Sequence, residues 1–251
     1  MPEEREFFFP DVPTVFGFFL FQELAAIRTH YKPAENYRFF RSATALDQGY
    51  ASAATGFLIA ITSLTFSSAP SDPLERFFDR WLIDQSNNLI DELLNTNVDR
   101  DAITTIQRIV VTMSELGERL RNESPHDFMV AFEESVINSP NPPFMSERFK
   151  EPLHDPFRML AEIFAATSYA EGDPFHAMQA LAFGSGDSDT VCAFLGTLQG
   201  IWFGEHLLRQ DAYLNEGFDI VEEVLNTTFQ VDLNQHVDLF LKLHGESSAF
   251  V

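Results

Sequence analysis

Apolar positions recur at helical spacing along most of the chain, and almost nowhere do they alternate as in a strand. Over residues 14–29, Phe16, Phe19, Leu20 and Leu24 share one face. Residues 31–41 read as a loop broken at Pro33. Arg41-Ser-Ala-Thr44-Ala-Leu46 then opens a helix that runs to about Phe66, and a short linker over 67–71 follows. Asp72-Pro73, Ser124-Pro125, Asp155-Pro156 and Asp173-Pro174 each read as a helix start, because the first residue can cap free N–H groups and proline tolerates the first helical position. The helix from Asp72 carries Phe77, Phe78, Trp81, Leu82 and Leu89 to about Leu94. Asp99 or Asp101 caps the next one, whose apolar face is Ile103, Ile106, Ile109, Val110 and Met113. Phe128, Phe132 and Val136 form the face after Ser124, and Phe157, Leu160, Ile163 and Phe164 the face after Asp155. Residues 138–152, with Pro140, Pro142, Pro143 and Pro152, make the longest loop. Helices over 214–229 and 233–243 close the chain, with Thr228-Phe-Gln-Val231 briefly extended between them. The expected fold is all-α: a tail of residues 1–12, then one helical domain over 13–251.

Composition narrows the partners. The 38 acidic and 16 basic residues give a net charge of −22, which argues against duplex DNA or an anionic membrane and permits a basic partner or bound cations. Phenylalanine occurs 27 times against 5 Tyr and 2 Trp, and it has no polar handle, so most of the rings should be buried or covered by a partner. Phe7-Phe8-Phe9-Pro10 makes the tail itself adhesive. The longest apolar runs, 15–21 and 56–64, are shorter than the roughly 20 residues of a membrane span. The acidic start, Met-Pro-Glu-Glu-Arg-Glu, is unlike a secretory signal. Cys192, the only cysteine, reads as a small core residue in a cytoplasmic protein.

One stretch carries candidate chemistry. Gly184-Ser185-Gly186-Asp187-Ser188-Asp189-Thr190 presents oxygen ligands on a glycine-hinged turn, the donor type that suits Mg²⁺ or Mn²⁺. It runs into a long apolar helix in which Gly196, Gly200 and Gly204 fall on one face, where another backbone could approach closely. The simpler reading of the same aspartates is a helix N-cap.

Gly-Ser-Gly-Asp187-Ser-Asp189-Thr190-Val-x-Ala-x-x-Gly196-x-x-x-Gly200-x-x-x-Gly204, with the lead-in Asp173-Pro-Phe-His-Ala-Met-Gln-Ala-Leu-Ala182, resembles the C-terminal signature of the ADP-ribosylglycohydrolase family. The resemblance covers about 35 residues. It implies a compact all-α domain and hydrolysis of the glycosidic bond at the ADP-ribose C1″ by two divalent cations. Asp187, Asp189 and Thr190 would be metal ligands, the two aspartates catalytic, and Gly184, Ser185 and Gly186 would line the ligand. The family supplies the other half of its metal site from a Thr-Asp-Asp-Thr motif ahead of an apolar helix. Here Ser42 and Ala43 stand in place of those carboxylates, beside Thr44, with Asp47 one turn further on as a substitute ligand. The family's opening acid is missing or shifted, Glu23 being the nearest carboxylate, and its mid-chain Asn-Gly-x-Ala-Met-Arg segment is absent.

A paired-metal centre needs several anionic ligands to offset about four positive charges. The expectation is therefore a degenerate member, a pseudoenzyme that binds an ADP-ribose-like ligand or a protein partner through its Phe-rich or acidic surface. Two alternatives stand beside it. One is an active Mg²⁺- or Mn²⁺-dependent hydrolase with its first motif rebuilt from Asp47, Glu35 or Glu23; the other is an unrelated helical interaction protein. None of the seven histidines forms a zinc-ligand pair on one predicted helix, although His176 precedes the aspartate cluster by one helix. A nucleophile elbow, a Walker loop and a dinucleotide fingerprint are absent.

Overall fold

The computed structural model describes residues 25, 28–43, 51–68, 77–136, 156–184, 188–208 and 212–229, with single positions 232, 235, 238 and 242. Every regular element among them is helical: α1 (Pro33–Ala43), α2 (Ala51–Ser68), α3 (Phe78–Asn95), α4 (Arg100–Arg119), α5 (Pro125–Val136), α6 (Pro156–Tyr169), α7 (Pro174–Ala182), α8 (Ser188–Leu208) and α9 (Ala212–Val224), followed by a π-helical turn, Leu225–Phe229. The fold is all-α. Among the described residues, no helix is long and apolar enough to cross a membrane.

The axis is α6, whose 14 residues are all buried. A helix buried on every side needs small or apolar groups all round. Ala161, Ala165 and Ala166 let neighbours close in, while Phe157, Leu160, Ile163 and Phe164 fill the space between them. Helices α2, α3, α4, α7 and α8 all pack against it. The single apolar face read from the sequence is thus only part of a fully enclosed helix. Its remaining surface includes Arg158 and Glu162, one turn apart, with Arg158 Nε 2.9 Å from Glu162 Oε1. Arg158 Nη2 also lies 3.8 Å from Glu133 Oε1 on α5. Burying either charge alone costs several kcal/mol, so the two are buried as a pair.

Among the described residues, two glycines mark close helix crossings. A Cβ on Gly117 of α4 would overlap the Ala165 carbonyl oxygen and come within 2.8 Å of Tyr169 N and 2.9 Å of Ser168 Cβ on α6. A Cβ on Gly56 of α2 would lie 2.9 Å from the Arg41 backbone nitrogen on α1. In contrast, the stripe expected to receive a neighbouring backbone receives none among the described residues. Gly196 faces the Met178 side chain at ordinary distance, and Gly200 and Gly204 have no described atom within 4 Å of such a Cβ. The helix also breaks its regular geometry at Gly204, where φ is +70°.

Several local readings change. Residues 33–43 are helical rather than a loop. Pro33 occupies the first helical position, the Lys32 carbonyl accepts from Glu35 N and Asn36 N, and Tyr37 and Phe40 are buried. Arg41, Ser42 and Ala43 consequently close α1 instead of opening α2. In α3, which begins at Phe78, Phe77 is exposed beneath the Arg80 guanidinium rather than part of the inner face. Asp99 precedes α4, but its side chain does not cap it: with φ at +43°, its carboxylate takes Arg41 Nε and the Tyr37 hydroxyl, each at 2.8 Å. Burial, reinforced by the Asp99 carboxylate, pushes the Tyr37 phenol well above its ordinary range.

Other starts agree with the sequence. Ser124 accepts from Asp127 N, and its hydroxyl donates back to the Asp127 carboxylate, holding that group below its ordinary range. Asp173 accepts from His176 N with Pro174 next in line. Thr228 lies in the π-helical turn rather than an extended segment. The 138–152 loop, Asp72-Pro73, most of the 14–29 helix and most of the 233–243 helix lie outside the described residues.

Candidate functional site: the acidic corner between α7 and α8

The corner is built from two helix ends. Asp173 caps the start of α7, and Phe183 N and Gly184 N close its other end on the Ala180 and Leu181 carbonyls. Gly184 adopts no positive φ; its reason is space, since a Cβ there would meet Leu181 O at 3.1 Å and Met129 Cε at 3.2 Å. Helix α8 then starts at Ser188. Val191, Phe194, Leu195 and Leu198 drive one face of α8 into the core, which leaves Asp189 exposed in its first turn and Thr190 half-buried. A carboxylate at this position also gains from the positive pole of the helix.

Of the candidate residues, Gly184, Asp189 and Thr190 are placed. Ser185, Gly186, Asp187, Thr44 and Asp47 lie outside the described residues, as does Glu23. Helix α2, which follows the 44–50 segment, packs against α8. Ser42 and Ala43 are exposed at the end of α1, and Glu35 is exposed in its first turn. Among the described residues, no three His, Cys, Asp or Glu side chains converge on a point where a metal ion could be held.

Inward of Asp189 lies Cys192, with its sulfur 3.9 Å from the Met178 carbonyl oxygen. Burial first, then the Glu162 and Asp189 carboxylates, pushes its thiol up to about 11. A thiol so placed stays protonated at neutral pH and is a poor nucleophile, in keeping with a packing role. His176 stacks on Tyr169 at 4.7 Å, and Tyr169 stacks in turn on Phe128 at 4.2 Å, while the Tyr169 hydroxyl donates to the Glu123 carbonyl. His176 therefore belongs to an aromatic ladder joining α5, α6 and α7.

The sequence reading overlooked the polar groups beneath this surface. The Arg158–Glu162 pair shows in the sequence as an i,i+4 spacing, but nothing local distinguishes it from a solvated helix face. The Tyr37–Arg41–Asp99 tie spans about sixty positions and has no local signal at all. No protein-family model, no curated protein and no solved structure matches the chain.

Proposed function

We propose that this chain is a binding protein on an ADP-ribosylglycohydrolase-like helical scaffold, one that keeps the C-terminal half of a two-cation centre and has lost the other half. The reading is carried by the corner itself: Asp189 is presented to solvent in the first turn of a helix that is anchored in the core and packed on α2. At the positions that the resemblance aligns with the other motif, Ser42 and Ala43 bring no carboxylate. Two divalent cations held by so few anions would leave most of their charge uncompensated. The chain would then bind an ADP-ribose-like ligand or a protein partner, with at most one Mg²⁺ or Mn²⁺ at Asp187, Asp189 and Thr190, and would not turn over.

Calorimetric titration of the full chain with Mn²⁺ and with ADP-ribose, beside an assay for ADP-ribose released from an arginine-modified protein, tests this. Binding that weakens in Asp187→Asn and Asp189→Asn, without release, is the expected result. Release that depends on Mn²⁺ and disappears in Asp189→Ala would reinstate the active hydrolase, with Asp47, Glu35 or Glu23 completing the site. Silence in both assays would leave the corner as a helix cap of an unrelated interaction protein, a reading that the exposed first-turn position of Asp189 also suits.

A further inference from the structure

The most basic described stretch lies ahead of and along α1. Residues 28–41 hold Arg28, Lys32, Arg38 and Arg41 against Glu35 alone, in a chain of −22; Arg41 is paired with Asp99, which leaves Arg28, Lys32 and Arg38 as the remaining cations. Within it, the Arg28 guanidinium carbon lies 4.0 Å from the centroid of Tyr31 and 4.0 Å from that of Phe39. Its Nε donates to Asn36 Oδ1 at 3.0 Å, and Asn36 Nδ2 donates both to the Arg28 carbonyl and to Ser63 Oγ on α2. The guanidinium is thus held against two rings and at one edge. No hydrogen bond of its terminal nitrogens, and no ion pair with a carboxylate, occurs among the described residues. An arginine oriented in this way has already lost the freedom that binding would otherwise remove, and its fork geometry matches a carboxylate.

The surroundings favour an anion with an apolar neighbour. Lys32 is exposed, and the amino end of α1 adds partial positive charge, offset in part by the exposed Glu35 of the same turn. Tyr31 and Phe39 are 42% and 37% exposed, so an apolar floor borders the charge.

We infer that Arg28, flanked by Lys32, Tyr31 and Phe39, anchors a docking surface for an acidic peptide segment of a partner protein, one in which Asp or Glu stands beside an apolar side chain. The local charge of Arg28 and Lys32 and the preset fork supply the grip at short range, within the negative field of the whole chain. The surface is independent of the α7–α8 corner.

The test is fluorescence anisotropy with the full chain, using a labelled peptide of alternating Glu and Leu, the same peptide with Gln for Glu, and inorganic phosphate. The Glu peptide should bind about tenfold or more tightly than its Gln twin at low salt, and the difference should shrink as salt rises. Arg28→Lys keeps the charge but loses the fork and the stacking, and should weaken binding about tenfold. Because Arg28 also holds Asn36, Lys32→Glu serves as a second variant, and thermal melts of both establish that they fold. Equal binding of the two peptides, or unchanged affinity in both variants, overturns the inference. So does binding of phosphate without binding of the Glu peptide, which would assign the site to phosphate ligands.

Discussion

Replacing Gly117 by alanine adds one methyl group at the tightest glycine-mediated crossing among the described residues. Taken alone, the exchange should stabilise α4 by about 1 kcal/mol, because alanine is the better helix former. Here, however, the added carbon would overlap the Ala165 carbonyl oxygen and press within 2.8 Å of Tyr169 N, both of them backbone atoms of α6 that cannot rotate away. Relief requires the two helices to separate by about 1 Å. A gap of that size forfeits a quarter to a half of each dispersion contact along the crossing, and overpacked cores lose about 1–3 kcal/mol or more. Since α6 is enclosed by five other helices, the displacement cannot be confined to one pair. We expect a net loss of about 2–3 kcal/mol, which in a chain of this size lowers Tm by roughly 5–10 °C. Urea unfolding followed by far-UV circular dichroism measures it. The control is Gly200→Ala: the same change in mid-α8, where a Cβ meets no described atom, should raise stability by about 0.5–1 kcal/mol. Equal midpoints for Gly117→Ala and the wild type would refute the close crossing.

Further outcomes follow from the buried polar groups. Arg158→Met should cost about 3–5 kcal/mol by leaving Glu162 charged in the core, and adding Glu162→Leu should recover much of it; a double variant less stable than Arg158→Met would contradict that account. Folding holds the Tyr37 phenol protonated above its unfolded value of about 10, so its contribution is complete below pH 10 and declines as pH rises beyond it. Tyr37→Phe should flatten that alkaline decline in urea midpoints, and an unaltered slope would show the group to be irrelevant. Native Cys192, its thiol raised to about 11 by burial, should react with iodoacetamide at pH 8 far more slowly than after unfolding; equal rates, read by mass spectrometry, would contradict its placement.

What the sequence made legible was whatever depends on near neighbours. The inner face of α4 includes all five residues that its period marks, and α5 and α7 begin at Ser124-Pro125 and Asp173-Pro174 because cap and proline act within one turn. The misreadings have a common physical origin. Pro33 carries the same local signal whether it ends a loop or starts a helix, and only the packing of Tyr37 and Phe40 beneath it decides for α1. Periodicity finds one covered side, so it marked the helix after Asp155 by a single face and could not register that every side of α6 is covered. Glycine spacing drew attention to Gly196, Gly200 and Gly204, yet close approach requires a partner opposite, which Gly117 has and Gly200 lacks among the described residues. At the corner, the first-turn position of Asp189 was readable from its surroundings in the chain. Whether Thr44, Asp47 and Asp187 meet it falls outside the described residues.

The enclosed position of α6 has a consequence for how the molecule comes into being. The helices that wrap it are drawn from both sides of it in the chain, and α2, α3 and α4 are synthesised first. Until residues 156–169 leave the ribosome, those three have only one another and α1 to pack on, and lack the helix that all of them share, so a core that includes Phe57, Leu82 and Ile106 stays incomplete. The nascent amino-terminal half is therefore an open shell, prone to association, and it becomes a protein only when the late-arriving helix threads its centre. A chain cut short before Pro156 should collect in inclusion bodies rather than persist as a smaller folded unit.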